Sequence, residues 1–261
     1  MSLARMPVAF FGHGSPMNTL DRNRYTEAWR KVGDSIPTPK AIVCVSAHWY
    51  TEGTAVTAMS RPRTIHDFYG FPQALFDVQY PAPGQPGIAR RVRDLLAPVD
   101  VALDDSWGLD HGTWSVLKHA YPKADIPVIQ LSIDGTQPPQ FHYDIARRLA
   151  PLRDEGILVT GSGNVVHNLR LMRPGAQPFD WAVRFNESIR EALAARDHAT
   201  LIDFEKLGAD ARLSVPTPEH YLPLLYVAGL QREDESMTFP VDGYDLGSVS
   251  MLTAVAGLPA A

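Results

Sequence analysis

Three histidines sit in short turns where imidazole could do chemistry. His13 lies in Gly12-His13-Gly14-Ser15-Pro16, His48 in Ser46-Ala47-His48-Trp49, and His167 just beyond Gly161-Ser162-Gly163-Asn164. Each follows the end of a short apolar run: His13 comes two residues after Phe11, His48 three after Val45, and His167 after the turn that closes the run at 157–160. In an open α/β sheet, ligands bind beyond the carboxyl ends of the strands. Histidines scattered over a surface would have no reason to favour that edge. Imidazole is the commonest protein ligand for borderline metals and the usual acid–base group near neutral pH. A metal centre or an acid–base site is therefore the chemistry on offer. Any one of these histidines could simply bond a neighbouring carbonyl, but three together in Gly/Ser/Asn-rich turns favour the functional reading.

Two more join them in looser contexts. His111 sits in Trp107-Gly108-Leu109-Asp110-His111-Gly112-Thr113-Trp114, ahead of a helical pattern at 114–121. His220 sits in Pro216-Thr217-Pro218-Glu219-His220-Tyr221, near the start of a helical pattern at 222–230. Thr217 reads as an N-cap and Pro218 as the first helical residue, although Pro223 also allows the regular helix to begin only there. Taken singly, residues so placed more often cap or pack. His119, His142 and His198 fall in or beside amphipathic helical patterns and are assigned to surfaces; His66 reads as a loop residue at a pocket mouth. The chain has no HExxH, no GxSxG, no GxxxxGK[ST], and no third glycine to complete a dinucleotide fingerprint. Cys44, the one cysteine, lies inside an apolar run and reads as a buried, inert thiol. A single cysteine excludes an intrachain disulfide and cysteine-based zinc sites.

The elements that would position these residues are legible from periodicity. Apolar runs at 8–11, 41–45, 126–133 and 157–160 show no polar alternation, which suits strands covered on both faces. Segments 87–96, 143–153 and 179–196 place apolar residues on one helical face and arginines on the other. Segment 247–255 reads as one more strand. The alternation predicts an α/β fold: a single domain over 1–261 with a central, largely parallel sheet flanked by helices, and a metal site at the carboxyl ends of the strands. The Pro-rich stretches at 60–86 and 208–223 read as loops over one face.

Composition bounds the rest. Of 261 residues, 45% are hydrophobic and 20% charged, which excludes collagen-like and disordered classes. The net charge of -5 with no basic run speaks against nucleic acid and anionic membrane surfaces as partners. No apolar stretch approaches the ~20 residues of a membrane-spanning helix, and the start does not resemble a signal peptide. A soluble, cytoplasmic protein is expected, with its oligomeric state left open.

Five segments together carry a resemblance: GHGSPMN at 12–18, SAHW at 46–49, GLDHGTW at 108–114, GNVVHN at 163–168 and PTPEHYLPLLY at 216–226. In this order, spanning nearly the whole chain, they resemble the class III extradiol ring-cleavage dioxygenases, in particular the 4,5-DOPA extradiol branch. The resemblance implies that His13, His48 and His220 bind a metal. It implies that His167 stands beside the ion as acid–base, or binds it directly when no substrate is present, and that His111 faces substrate and oxygen. It further implies Fe(II) for activity, a catechol such as L-DOPA, and O₂. Family members that use two histidines and a carboxylate differ from this chain, where His220 matches the third position. Glu219 is adjacent, but neighbours on a helix point about 100° apart, so the two are not expected to share one ion. An all-histidine site also suits zinc, which keeps two alternatives open: a zinc hydrolase with His167 as general base, and a non-catalytic relative that binds a partner in the cleft. Trp49, Phe68, Tyr69, Phe71 and Trp114 are candidates to wall the ring.

Overall fold

Apolar runs without alternation become sheet interior because both faces need cover. The computed structural model describes residues 5–258. Its strands are β1 (Val8–Gly12), β2 (Ala41–Thr51), β3 (Thr54–Thr57), β4 (Val101–Asp104), β5 (Val128–Asp134), β6 (Ile157–Gly163), β7 (Met237–Val241), β8 (Tyr244–Asp245), β9 (Val249–Ser250) and β10 (Thr253–Ala256). Eight form one sheet in the order β4-β3-β5-β2-β6-β1-β10-β7, while β8 and β9 make a separate ribbon. The centre β5-β2-β6-β1 is parallel throughout. β10 and β7 extend one side antiparallel. The sheet is therefore largely parallel, as the run lengths predict.

The helices are α1 (Arg24–Ser35), α2 (Gln73–Phe76), α3 (Pro86–Leu96), α4 (His111–Ala120), α5 (Pro139–Arg148), α6 (Ala150–Asp154), α7 (Asp180–Ala195), α8 (His198–Ile202), α9 (Ala209–Ser214) and α10 (Leu222–Leu230). They cover both sheet faces. Val8 and Phe10 of β1 join a core with residues of α3, α5, α7 and α10, whereas Ala9 and Phe11 join the opposite core with Trp29 of α1 and Trp114 of α4. Alternate residues of one strand thus serve two cores, so no polar position survives in the pattern. α10 is buried almost all round, pressed between the sheet and α5.

Several local expectations are corrected. Segment 143–153 is two helices, because α5 ends at Arg148 and α6 restarts at Ala150. Segment 247–255 is likewise two short strands, β9 and β10, separated by Met251 and Leu252. The stretch 208–223 carries α9 as well as loop. Thr217 and Pro218 do not cap a helix: regular helix begins at Leu222 with Pro223 in its first turn, and Thr217 Oγ1 donates to Glu219 instead. His142 is not on the surface but fully buried, its Nδ1 3.1 Å from the Tyr226 hydroxyl. His119 and His198 are half-buried, held by the Asn18 carbonyl at 2.8 Å and the Tyr143 hydroxyl at 2.7 Å. Facing a core through one ring edge, these histidines mimic the polar side of an amphipathic pattern. Among the described residues, no helix is long and apolar enough to cross a membrane.

Candidate metal centre

The site forms where the carboxyl ends of β1, β2 and β6 meet, with Gly12 paired to Gly163 and Ser46 to Ser162. His13 leaves β1 with its backbone N–H donating to the Gly163 carbonyl at 3.1 Å. His48 stays within β2, past a register shift between Val45 and Tyr50 that lengthens the strand beyond its apolar run. His220 arrives in the turn before α10. That turn lies directly on β6: a Cβ on Gly163 would stand 2.1 Å from the His220 carbonyl oxygen, and one on Gly161 2.4 Å from that of Pro223. The two glycines therefore permit a backbone approach that any side chain would block. His111 opens α4, whose N-cap Asp110 accepts the Thr113 N–H at 3.1 Å and is fixed by Ser46 and Gln130.

Hydrogen bonds behind the rings orient His13 and His220 alike, and a carboxylate stands behind His48. Ser162 Oγ donates its own proton to the Gly112 carbonyl, so it accepts from His13 Nδ1 at 3.0 Å. The Asp67 carboxylate, which burial raises but hydrogen bonds from His111 and the charges of His111 and His48 bring below its usual range, lies 3.2 Å from His48 Nδ1. Glu219 accepts from His220 Nδ1 at 3.1 Å. His13 and His220 each spend the Nδ1 proton on an oxygen, which leaves a lone pair on Nε2. The Nε2 atoms of His13 and His48 lie 3.2 Å apart, and that of His220 is buried without a partner. Ligand nitrogens of the three all lie within 4.8 Å of one another. Burial first, then the neighbouring imidazoles, push all three well below the ordinary histidine range, so they are neutral near pH 7. A cation among these nitrogens would draw on one lone pair from each ring. Metal–nitrogen bonds of about 2.0–2.2 Å put two ligand nitrogens on one ion about 3 Å apart, so the observed spacing fits.

The remaining histidines stand around this trio. His111 Nδ1 donates to Asp67 at 2.9 Å and its backbone N–H to the same carboxylate at 2.8 Å; its ring centroid is 3.9 Å from that of His48. His167 stacks on His220 at 3.5 Å and 11°, and burial, with a lesser contribution from His111, lowers it to about 4. The structure thus brings together all five predicted histidines, with His167 stacked against the trio. Glu219 lies behind the His220 ring, in a turn rather than on a helix. His66 is absent from the cavity lining and bonds the Val78 carbonyl at 2.9 Å. Phe68, Tyr69 and Phe71 do line the cavity of about 350 Å³ over the histidines. Trp49 and Trp114 do not: Trp49 stacks on Trp107, and Trp114 is core. Cys44 is buried and its thiol pushed up to about 12, as an inert thiol should be.

Asp67 and Ser162 escaped the sequence reading. Asp67 is one acid in a Pro-rich loop, and Ser162 looks like turn chemistry in Gly161-Ser162-Gly163. Only their distance to imidazoles marks them.

Fold and site together define an α/β protein with a histidine-rich, metal-capable centre at the carboxyl edge of its sheet. Residues 11–254 match the family model of the catalytic LigB subunit of aromatic ring-opening dioxygenases. The chain belongs to this family. It is 53% identical to the 4,5-DOPA dioxygenase extradiol of Escherichia coli (strain K12), covering 98% of this chain and 97% of that protein. It is 37% identical to the Beta vulgaris protein of the same name, over 92% of each chain. A crystal structure of an uncharacterized Escherichia coli K12 protein superposes with a TM-score of 0.86 at 48% identity, over 97% of this chain and all of that one.

Proposed function

We propose that this chain is an extradiol dioxygenase that opens the ring of a catechol, of the L-DOPA kind, with O₂. The observation that carries the reading is the convergence of three imidazoles, their ligand nitrogens within 4.8 Å of one another, beneath an aromatic-walled cavity in a member of this family. His13, His48 and His220 would hold the metal. Ferrous iron, when bound, supplies the redox chemistry that lets a catecholate and dioxygen react. An all-imidazole set also accepts zinc, so the isolated protein can carry either ion.

The chain's own groups do the rest. Neutral imidazoles leave the centre positive, which favours the deprotonated diol. His167, neutral near pH 7, takes a catechol proton and later returns one to the departing oxygen. His111 has committed Nδ1 to Asp67, so Nε2 is the nitrogen left for an oxygen of the reacting pair. Phe68 and Phe71 wall the ring and keep water out. The catalytic unit is the whole chain, 1–261, working in the cytoplasm; the lone buried thiol Cys44 supports a reducing compartment.

The test is oxygen uptake by protein reconstituted anaerobically with Fe(II) and given a catechol panel. Uptake with a yellow ring-opened product is expected. No uptake with one iron verified per chain would move the assignment to the zinc hydrolase that the same histidines could serve.

A further inference from the structure

At the edge of the sheet opposite the histidines, a groove of about 650 Å³ opens beside the end of α10. Arg5 enters it ahead of β1, Arg147 from α5, Arg196 from the link between α7 and α8, and Arg232 from the segment after α10. Against these four guanidiniums the lining carries two carboxylates, Glu233 and Asp234. In a chain of net charge -5 that is a local reversal of sign.

Two of the four cations have carboxylate partners. Arg5 lies 3.4 Å from Asp154, 3.3 Å from Asp234 and 3.5 Å from Glu235, and Arg232 lies 3.4 Å from Asp154. Arg147 and Arg196 make no ion pair or side-chain hydrogen bond among the described residues. Burial, then the charges of Arg196 and Arg147, lower His198 below the ordinary histidine range, so both guanidiniums act on one ring in the groove. Four buried polar atoms of this lining lack a hydrogen-bond partner: Arg196 Nε, Arg232 Nε, His198 Nε2 and Gln231 Oε1. The last two answer each other, because Gln231 favours a proton on His198. The arginine donors have no such answer. A guanidinium only donates and keeps its charge, so a buried Nε–H calls for an oxygen.

The backbone at Arg196 points the same way. It caps α7 at φ 58° and ψ 30°, and the Asp197 N–H returns to the Ala192 carbonyl at 2.8 Å. Glycine is the usual residue in this left-handed cap. An arginine held there is strained, and such strain gathers at ligand sites.

We propose that this groove binds a phosphate group, free or as a phosphate monoester, between Arg147, Arg196 and Arg232. The three side chains come from different elements and so approach from different directions. A tetrahedral phosphate offers oxygens to all of them, whereas a planar carboxylate presents its two oxygens in one plane. The site stands apart from the metal centre and does not depend on the ring-cleavage reading.

The test is calorimetric titration of the Zn(II)-loaded protein at low salt with inorganic phosphate, glycerol 2-phosphate and succinate. Both phosphates should saturate one site per chain, with succinate about tenfold weaker. Tighter binding of the ester identifies a phosphorylated metabolite as the ligand; tighter binding of inorganic phosphate identifies the free ion. Arg196→Gly suits the left-handed cap, so its Tm without phosphate should equal or exceed the parent's while its Kd for phosphate rises about tenfold or more. Arg147→Gln, on the exposed side of α5, should weaken phosphate similarly, and Arg22→Gln, outside the groove, should not. No saturation by either phosphate, or succinate binding as tightly, overturns the proposal. So does parent affinity in both Arg196→Gly and Arg147→Gln, which would place the anion elsewhere on the protein.

Discussion

The Nε2 atoms of His13 and His48 face each other at hydrogen-bond distance, 3.2 Å, while the His13 Nδ1 proton is already given to Ser162. Two neutral imidazoles so placed share one proton between them, and a metal ion that takes its place gains a lone pair from each ring. His13→Ala or His48→Ala should accordingly strip most bound metal, read by elemental analysis after dialysis. A variant that keeps a full equivalent would refute the ligand role. In the same assay His220→Gln should cost more metal than Glu219→Gln, because Glu219 reaches only the back of the ring; the reverse order would exchange their roles.

His167 separates metal binding from turnover. It stacks on His220 outside the His13–His48–His220 set, although its ring nitrogen also lies within 4.8 Å of ligand atoms of Glu219 and His220. His167→Gln should retain the metal and lose roughly 10²–10⁴-fold in kcat, the usual contribution of a positioned acid–base group. Turnover near the parent's value would remove His167 from the mechanism.

Asp67 accepts both the backbone N–H and the Nδ1–H of His111 and lies 3.2 Å from His48 Nδ1. An asparagine there would turn its NH₂ toward one of the two His111 N–H donors. Asp67→Asn should therefore loosen His48 and His111 together, lowering metal affinity or activity by about 10–100-fold. The double variant Asp67→Asn/His111→Gln should lose little more than the single if the two act as a unit. Strictly multiplicative losses would show that they act separately.

His142 makes stability depend on acidity far from the site. Burial lowers it to about 4. The unfolded chain takes up this proton below about pH 6.5, whereas the folded chain resists until near 4. The stability that neutral His142 contributes is present above pH 6.5 and is lost as the pH falls toward 4, by up to about 3 kcal/mol. His142→Gln should flatten the fall in urea-melt stability over that window relative to the parent. An unchanged slope would mean that other groups set it.

Sequence alone determined the parallel centre of the sheet and the edge at which chemistry would occur. Unbroken apolar runs such as 41–45 must be covered on both faces, and turns rich in glycine and serine must follow them. His13, His48 and His167 were legible because they stand directly at those ends. His111 and His220 were weaker signals, since a histidine near a helix start is as good a cap as a ligand. The motif resemblance, not periodicity, joined them to the set. Tertiary structure alone decided which nitrogens converge. That outcome depends on Ser162, Asp67 and Glu219 fixing the tautomers of His13, His111 and His220, on Gly161 and Gly163 letting the His220 turn press against β6, and on the Asp245 hairpin closing the wall. These contacts join residues far apart in the chain at distances near 3 Å. Local pattern carries no record of such distances, because hydrogen-bond geometry is set by packing and not by spacing along the backbone.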